Sequence, residues 1–246
     1  MRVHHINTGL FALGVVVHCL LIETDTAGLV LVDTGLGTTT GPVAALLRPR
    51  PHPTAADQVR ALGHTPDDVR HIVLTHLDLD HAGGLQQFPS ATVHVATAEL
   101  HAATHPSNPG ERLRYARQQW AHGPRWSPYE PGTENWFNLP GARQLPGLPT
   151  DILTVPLPGH TRGHTGIAVL RDSQWLLHAG DSHFTHTQLL TRPSCPAVFA
   201  LYQKMVRVDR ARWLETVEAL RTLARDPRVD IICSHDPADL TRSTAH

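Results

Sequence analysis

Four side chains able to hold a metal ion fall within six residues of this chain, in the run Thr75-His76-Leu77-Asp78-Leu79-Asp80-His81-Ala82-Gly83-Gly84. Ahead of it lies His71-Ile72-Val73-Leu74, an apolar run that reads as a buried strand. Behind it, Gly83-Gly84 is expected to turn the chain sharply through backbone angles that a side chain forbids. The expectation is a strand that delivers imidazoles and carboxylates at its C-terminal edge. A solvated polar turn is the plain alternative. Crowding Asp78 and Asp80 against His76 and His81 is costly unless a cation gathers them. Neutral imidazole with carboxylate suits zinc, manganese or iron, and needs no cysteine.

The rest of the chain alternates strand-like and helix-like stretches. Strands are expected near 14–23 and 28–32, as a hairpin, and near 93–96, 152–157, 166–170, 174–179 and 229–233. Helices are expected near 42–47, 55–62 with Thr54 as its cap and Gly63 as its stop, 98–103, 111–120 and most of 198–225. Four strands then end in metal-type residues, at His76, His160, Asp181 and His235. Loops at one edge of packed sheets can converge on one site, which is the physical case for function. Strand-then-helix blocks in each half suggest two facing sheets with helices outside.

From about Thr104 to Pro149 prolines and glycines become frequent and no clean strand alternation survives. This reads as a long insertion carrying Trp120, Trp126, Tyr129, Trp136 and Phe137, rings that either fill a satellite core or surround a pocket. Arg112, Arg114, Arg117 and Arg125 give it a basic flavour and are read as solvated helix arginines.

Composition narrows the partners. With 246 residues, 41% hydrophobic and 17% charged, the chain suits one globular domain. Lys+Arg 21 against Asp+Glu 22 gives no general case for nucleic acid or an anionic membrane. The start, Met1-Arg2-Val3-His4-His5, lacks signal-peptide form, and the apolar run 15–22 is too short to span a bilayer. Cys19, Cys195 and Cys233 lack framework spacing, so free thiols in a reducing cytoplasm are expected. With His 19 in the chain, a histidine is assigned a role only through a motif.

The run 76–81 resembles the H-x-H-x-D-H signature of the metallo-β-lactamase superfamily, with Asp78 where the commonest pattern has its second histidine. The resemblance continues through Pro158-Gly159-His160-Thr161-Arg162-Gly163-His164, Ala179-Gly180-Asp181-Ser182 and Ser234-His235-Asp236, in the family's order, and covers about 15–236. It implies an α/β fold, the four-layer αββα sandwich, as a single domain over 1–246 with a lid insertion at about 104–149. It implies two divalent ions: one held by His76, Asp78, His160 and a bridging Asp181, the other by Asp80, His81, Asp181 and His235. A metal-bridging hydroxide would be the nucleophile, and Asp80 would move the proton to the leaving group. His160 and His164 both fall in the third motif; spacing does not choose between them, and the family pattern aligns His160. Asp33, His164 and His183 would stand behind the ligands. Trp120, Trp126 and Trp136 of the lid, with Phe184, would face the substrate.

Two departures from the family matter. Asp78 adds a hard anionic ligand and shifts the expected metal from zinc towards manganese or iron. Lactone-cleaving members carry a tyrosine three residues after the bridging aspartate, and here that residue is Phe184. The leading expectation is a dinuclear hydrolase of a small ester, thioester or lactone. The alternatives are a diiron-type oxidoreductase of the flavo-diiron or persulfide-dioxygenase kind, a phosphodiesterase or nuclease, and a binding protein on an inactive scaffold. The expected partner is a small-molecule substrate, with no nucleic acid and no membrane. A homodimer is left open, and the expected location is cytoplasmic.

Overall fold

The structure, a computed structural model, describes residues 1–38, 49–115 and 117–244. Its frame is two six-stranded sheets. The first contains β1 (Arg2–Leu10), β2 (Val16–Glu23), β3 (Leu29–Val32), β4 (Val69–Val73), β5 (Thr92–Ala96) and β6 (Arg125–Tyr129), in that order. Strands β1 to β3 are antiparallel, and β3 to β6 are parallel. The second sheet contains β7 (Glu134–Trp136), β8 (Leu139–Gln144), β9 (Ile152–Pro156), β10 (Thr165–Arg171), β11 (Gln174–His178) and β12 (Val229–Ile232), again in order, with only β11 and β12 parallel.

The period of two in the strands explains the layering. Along β2, Leu20 and Ile22 enter one core while Cys19 and Leu21 enter another. Along β3, Val30 and Val32 separate from Leu29 and Leu31 in the same way. The shared core between the sheets receives Leu20, Ile22, Val30 and Val32 from one side and Ile152, Ile167, Val169, Leu176 and Ile232 from the other. Strands buried on both faces read as continuous apolar runs, which is why these were visible in the sequence.

Helices cover the outer faces. Outside the first sheet lie α1 (Ala55–Ala61), whose Thr54 and Asp57 form a capping box, α2 (Leu79–Ala82) and α3 (Thr97–Thr104). Next come α4 (Pro109–Arg114), started by the Asn108 cap, and α5 (Ala197–Val206). Outside the second sheet, α6 (Arg210–Leu223) buries Leu220 and Leu223 against Val155, Leu177 and Ile231. The last element is α7 (Pro237–Thr244). No helix among the described residues is long and apolar enough to cross a membrane.

Several expectations need correction. β1 was not anticipated, because its His4, His5 and Asn7 break the apolar pattern; there a ring pair, His5 Nδ1 to His18 Nε2 at 2.9 Å, replaces apolar contact. The stretch 104–149 is not loop-like throughout: β6 completes the first sheet and β7–β8 begin the second. Proline within β6 and glycine within β8 hid these strands. The stretch 198–225 is two helices. The break comes where Val208 N and Asp209 N donate to Gly159 O, at 2.9 and 3.0 Å, and Asp209 caps α6. The helix expected near 42–47 lies outside the described residues.

The Gly83-Gly84 pair is also read differently. Gly83 has φ −64° and Gly84 φ −88°, angles any residue adopts. The pair is needed for close approach: a Cβ on Gly83 would meet Leu36 O at 2.5 Å, and one on Gly84 would meet Thr34 O at 2.4 Å. Both obstacles are backbone, which yields less readily than a side chain. Gly84→Ala is therefore expected to destabilise the fold by about 1–3 kcal/mol. Gly63→Ala, whose Cβ meets nothing within 4 Å, should cost only its backbone strain at φ +89°. Chemical denaturation of the two variants ranks them, and equal losses would contradict the close-approach explanation.

Candidate metal centre

Seven metal-type side chains meet at the edge where four strands end. His76 follows β4; Asp78 is the residue before α2, extended at φ −67° and ψ 157°, and Asp80 and His81 lie inside that short helix. His160 lies between β9 and β10, Asp181 after β11, and His235 after β12. Backbone bonds tie the ends together: Thr165 N to Thr75 O at 2.9 Å, Ser234 N to Gly180 O at 3.1 Å and Ala179 N to Ile232 O at 2.8 Å.

The seven divide into two half-sites about Asp181. In one, Asp78 Oδ2 is 3.3 Å from His76 Nε2 and 3.2 Å from His160 Nε2. In the other, Asp80 Oδ2 is 3.9 Å from His81 Nε2 and 3.5 Å from His235 Nε2. Asp181 reaches into both: Oδ1 is 3.3 Å from His81 Nε2, and Oδ2 is 3.0 Å from His235 Nε2 and 3.6 Å from His160 Nε2. The trios His76–Asp78–His160, Asp80–His81–His235 and His76–His81–Asp181 each present ligand atoms within 4.8 Å of one another. His76 Nε2, His81 Nε2 and Asp181 Oδ1 are buried with no hydrogen-bond partner. Buried polar atoms are normally paired, so unpartnered imidazole and carboxylate atoms turned on one another fit a bound cation.

Residues behind these groups fix their orientation. Asp33 Oδ2 meets His81 Nδ1 at 2.8 Å, and the same carboxylate accepts Thr75 N and Thr75 Oγ1 at 2.8 and 2.7 Å. His235 Nδ1 bonds Val16 O at 2.8 Å, leaving Nε2 turned to the cluster. His164 differs. Its Nδ1 bonds Leu157 O at 2.9 Å and its Nε2 accepts Asp181 N at 2.9 Å, so both ring nitrogens are spent on positioning. His183 is buried, with Nδ1 3.0 Å from Ser182 Oγ and no partner for Nε2.

Charge is distributed unevenly. Burial pushes His235 down, but Asp181 and Asp80 outweigh it and lift the imidazole to about 9. Burial likewise opposes protonation of His81, which Asp181, Asp80 and Asp33 raise well above the ordinary histidine value. His160 goes the other way, to about 4, because burial is reinforced by the Arg114 guanidinium. Burial raises the Asp78 carboxyl, yet Arg114 and His76 hold it well below the usual range.

Three residues of the site region escaped the sequence reading. Arg114 is not solvated: its Nε and Nη2 take Asp78 Oδ1 and Oδ2 at 2.5 and 2.6 Å. Glu99 on α3 is fully buried, and accepts Leu77 N at 3.0 Å and Gly163 N at 3.1 Å, which joins the first and third motifs. Tyr202 on α5 stacks at 5.6 Å on Phe184, whose ring lies 4.9 Å from His235. Burial and the Asp80, Asp78 and Asp181 carboxylates raise its phenol above the ordinary range. Each is a common residue type outside any motif, and only an unusually apolar position for Arg114 or Glu99 would have marked it.

The tryptophans expected to face the substrate pack into the outer cores. Trp120 and Trp126 meet edge to face at 6.4 Å against the outer core of the first sheet. Trp136 is buried between Phe137 and Trp175 at 4.9 and 5.4 Å, in the outer core of the second. A cavity of about 760 Å³ beside α3 and α4 is lined by Thr104, Arg112, Tyr115 and neighbours, and by none of the seven metal-type residues.

Comparison with known proteins agrees with the motifs. The model of the metallo-beta-lactamase superfamily matches residues 12–235. A probable metallo-hydrolase of Mycobacterium tuberculosis is 41% identical over 261 residues, spanning 100% of this chain and 84% of that protein. The N-acyl homoserine lactonase AttM of Rhizobium johnstonii is 32% identical over 74% of this chain and 64% of its own length. Among solved structures, an N-acyl homoserine lactone hydrolase with N-hexanoyl-L-homoserine at its catalytic metal center superposes with a TM-score of 0.75 at 20% identity, covering 99% of this chain and 95% of that one. The chain belongs to the metallo-beta-lactamase superfamily, as one of its metal-dependent hydrolases.

Proposed function

We propose that this enzyme opens a small lactone, or hydrolyses a related ester or thioester, at a two-ion centre made of the half-sites about Asp181. The observation that carries this is the reach of Asp181 into both trios, with unpartnered His76, His81 and Asp181 atoms between them. The similarity to N-acyl homoserine lactonases supports the lactone among acyl substrates. The donor set fits divalent zinc, manganese or iron. Bound there, the ions supply Lewis acidity towards the acyl oxygen and a water whose pKa is lowered towards neutrality.

The chain's own residues do the rest. Asp33 and the Val16 carbonyl hold His81 and His235 so that Nε2 faces the centre. Asp80, partly exposed beside His81 and His235, is placed to take a proton and hand it to the leaving alkoxide. Tyr202 supplies the phenol that Phe184 lacks, from α5 instead of from the loop after Asp181. Its O–H can donate to the oxygen that becomes negative as the acyl carbon is attacked. Val198, Leu201 and Met205 lie on α5 with Tyr202 at helical spacing, and all are exposed. They offer the apolar surface that the lid tryptophans, packed into cores, do not.

A panel of acyl homoserine lactones, simple esters and thioesters tests the assignment, with chelation and metal restoration as controls. The expected outcome is metal-dependent hydrolysis with lactones preferred; a preference for phosphodiesters would refute it. Asp181→Ala should strip bound metal and abolish turnover. His164→Ala should retain metal while losing about 10–100-fold in activity. The reverse ranking in elemental analysis would reassign the third motif to His164. Tyr202→Phe should lower kcat by about 100-fold with metal content unchanged. An unaltered kcat would reduce Tyr202 to packing on Phe184.

A further inference from the structure

Arg114 stands at the end of α4, its side chain 14% exposed, and reaches into one half-site only. Its fork takes both oxygens of Asp78, at 2.5 and 2.6 Å. The same Nη2 is 2.6 Å from His160 Nε2. A guanidinium nitrogen only donates, so His160 Nε2 must be the acceptor, with its lone pair turned to Arg114. Nη1 donates to Val206 O at 2.5 Å and His160 O at 3.3 Å, which fixes the group between α4, α5 and the third motif.

These partners are the donor atoms a metal would need there. Of the trio His76–Asp78–His160, only His76 Nε2 is left without a partner. The other half-site has no such rival. Among the described residues, no lysine or arginine pairs with Asp80, Asp181 or His235, whose ion pairs are all with histidine and carboxylate. A bidentate guanidinium–carboxylate pair is among the strongest side-chain contacts, and less readily given up when it is screened from water.

We infer that Arg114 is an internal cation of the His76–Asp78–His160 half-site, competing there with metal, so that the centre fills unequally and the Asp80–His81–His235 half-site loads first. This rests on the two-ion reading above. Filling the second position requires Arg114 to release Asp78 and His160. That release also breaks the link it makes from α4 to Val206 at the end of α5. Metal occupancy and the seating of the α4 segment are therefore coupled.

The test is a titration of the metal-stripped full chain with Co²⁺, followed by calorimetry and visible absorption, and with Mn²⁺ followed by electron paramagnetic resonance. The wild type should take one tight equivalent and a second that is weaker by about 10–100-fold. Arg114→Gln, which removes the charge and withdraws the side chain by two atoms while staying polar, should tighten the second equivalent by at least about tenfold, leave the first unchanged, and show the spin-coupled signal of a Mn²⁺ pair at lower metal. Asp78→His is the second variant: a neutral imidazole removes the two-oxygen charged pair that anchors the guanidinium, so it too should tighten the second equivalent, even if Arg114→Gln fails to fold. Two equivalents of equal affinity in the wild type would overturn the inference while leaving the two-ion reading intact. So would an Arg114→Gln variant that binds its second ion more weakly, because the guanidinium would then be holding the ligands in place. A chain that takes up no metal would overturn both.

Discussion

Three carboxylates, Asp78, Asp80 and Asp181, share one water-poor cluster, and the surrounding structure answers that electrostatic load. Unpaired charge in such a place is prohibitive, so each carboxylate is met by partners brought from distant chain positions. Asp181 faces His81, His160 and His235; Asp80 faces His81 and His235; Asp78 faces His76, His160 and Arg114. The imidazoles respond in opposite directions. His235 is lifted to about 9, with Asp181 outweighing its burial, while His160 falls to about 4 through burial and Arg114. Negative charge is thus in excess around Asp80, His81 and His235, whereas Arg114 offsets the charge of Asp78 on the other side.

The cluster is only as exact as its supports. Asp33, held at φ 57° at the end of β3, spends one carboxylate on both Thr75 and His81. Glu99 ties the backbone at Leu77 to that at Gly163, and Tyr115 OH donates to it at 3.1 Å. The third motif is pinned from outside as well. A Cβ on Gly159 would meet Trp213 Cα at 2.4 Å, so α6 packs directly on the turn that carries His160. The sandwich therefore does more than deliver strand ends to one edge. Its inner and outer layers each contribute a contact that sets the angle of a ligand-type side chain.

Legibility in the sequence followed the kind of interaction. The doubly buried strands were visible as apolar runs, and the family motifs gave the seven clustered residues with their order. What stayed hidden depended on partners far away in the chain. β1 pairs imidazoles where apolar contact was sought, and β6 carries Pro128 at a sheet edge. Gly83 and Gly84 were read for their backbone angles when the constraint is the nearness of Leu36 O and Thr34 O. The tryptophans of 104–149 were expected to face substrate, and they pack in the two outer cores, while Tyr129 enters the core between the sheets. Arg114 was read as solvated because six neighbouring positions on a short helix say nothing about a carboxylate 36 residues earlier.

That last contact changes how Asp78 itself is understood. Taken alone, an aspartate in place of a histidine adds charge and hard oxygen to the site, and argues for manganese or iron over zinc. Taken with Arg114, the added charge is matched within the fold, and the site gains one anion and one cation together. The oxygen donor remains, but the guanidinium fork draws on both of its oxygens. Any metal preference at that position is then set by how well an ion competes with a charged hydrogen-bond donor, not by ligand hardness alone. On the two-ion reading proposed above, an ion that binds imidazole strongly would compete best for His160, and the carboxylate-led preference would fall to the half-site of Asp80, where no guanidinium intervenes among the described residues.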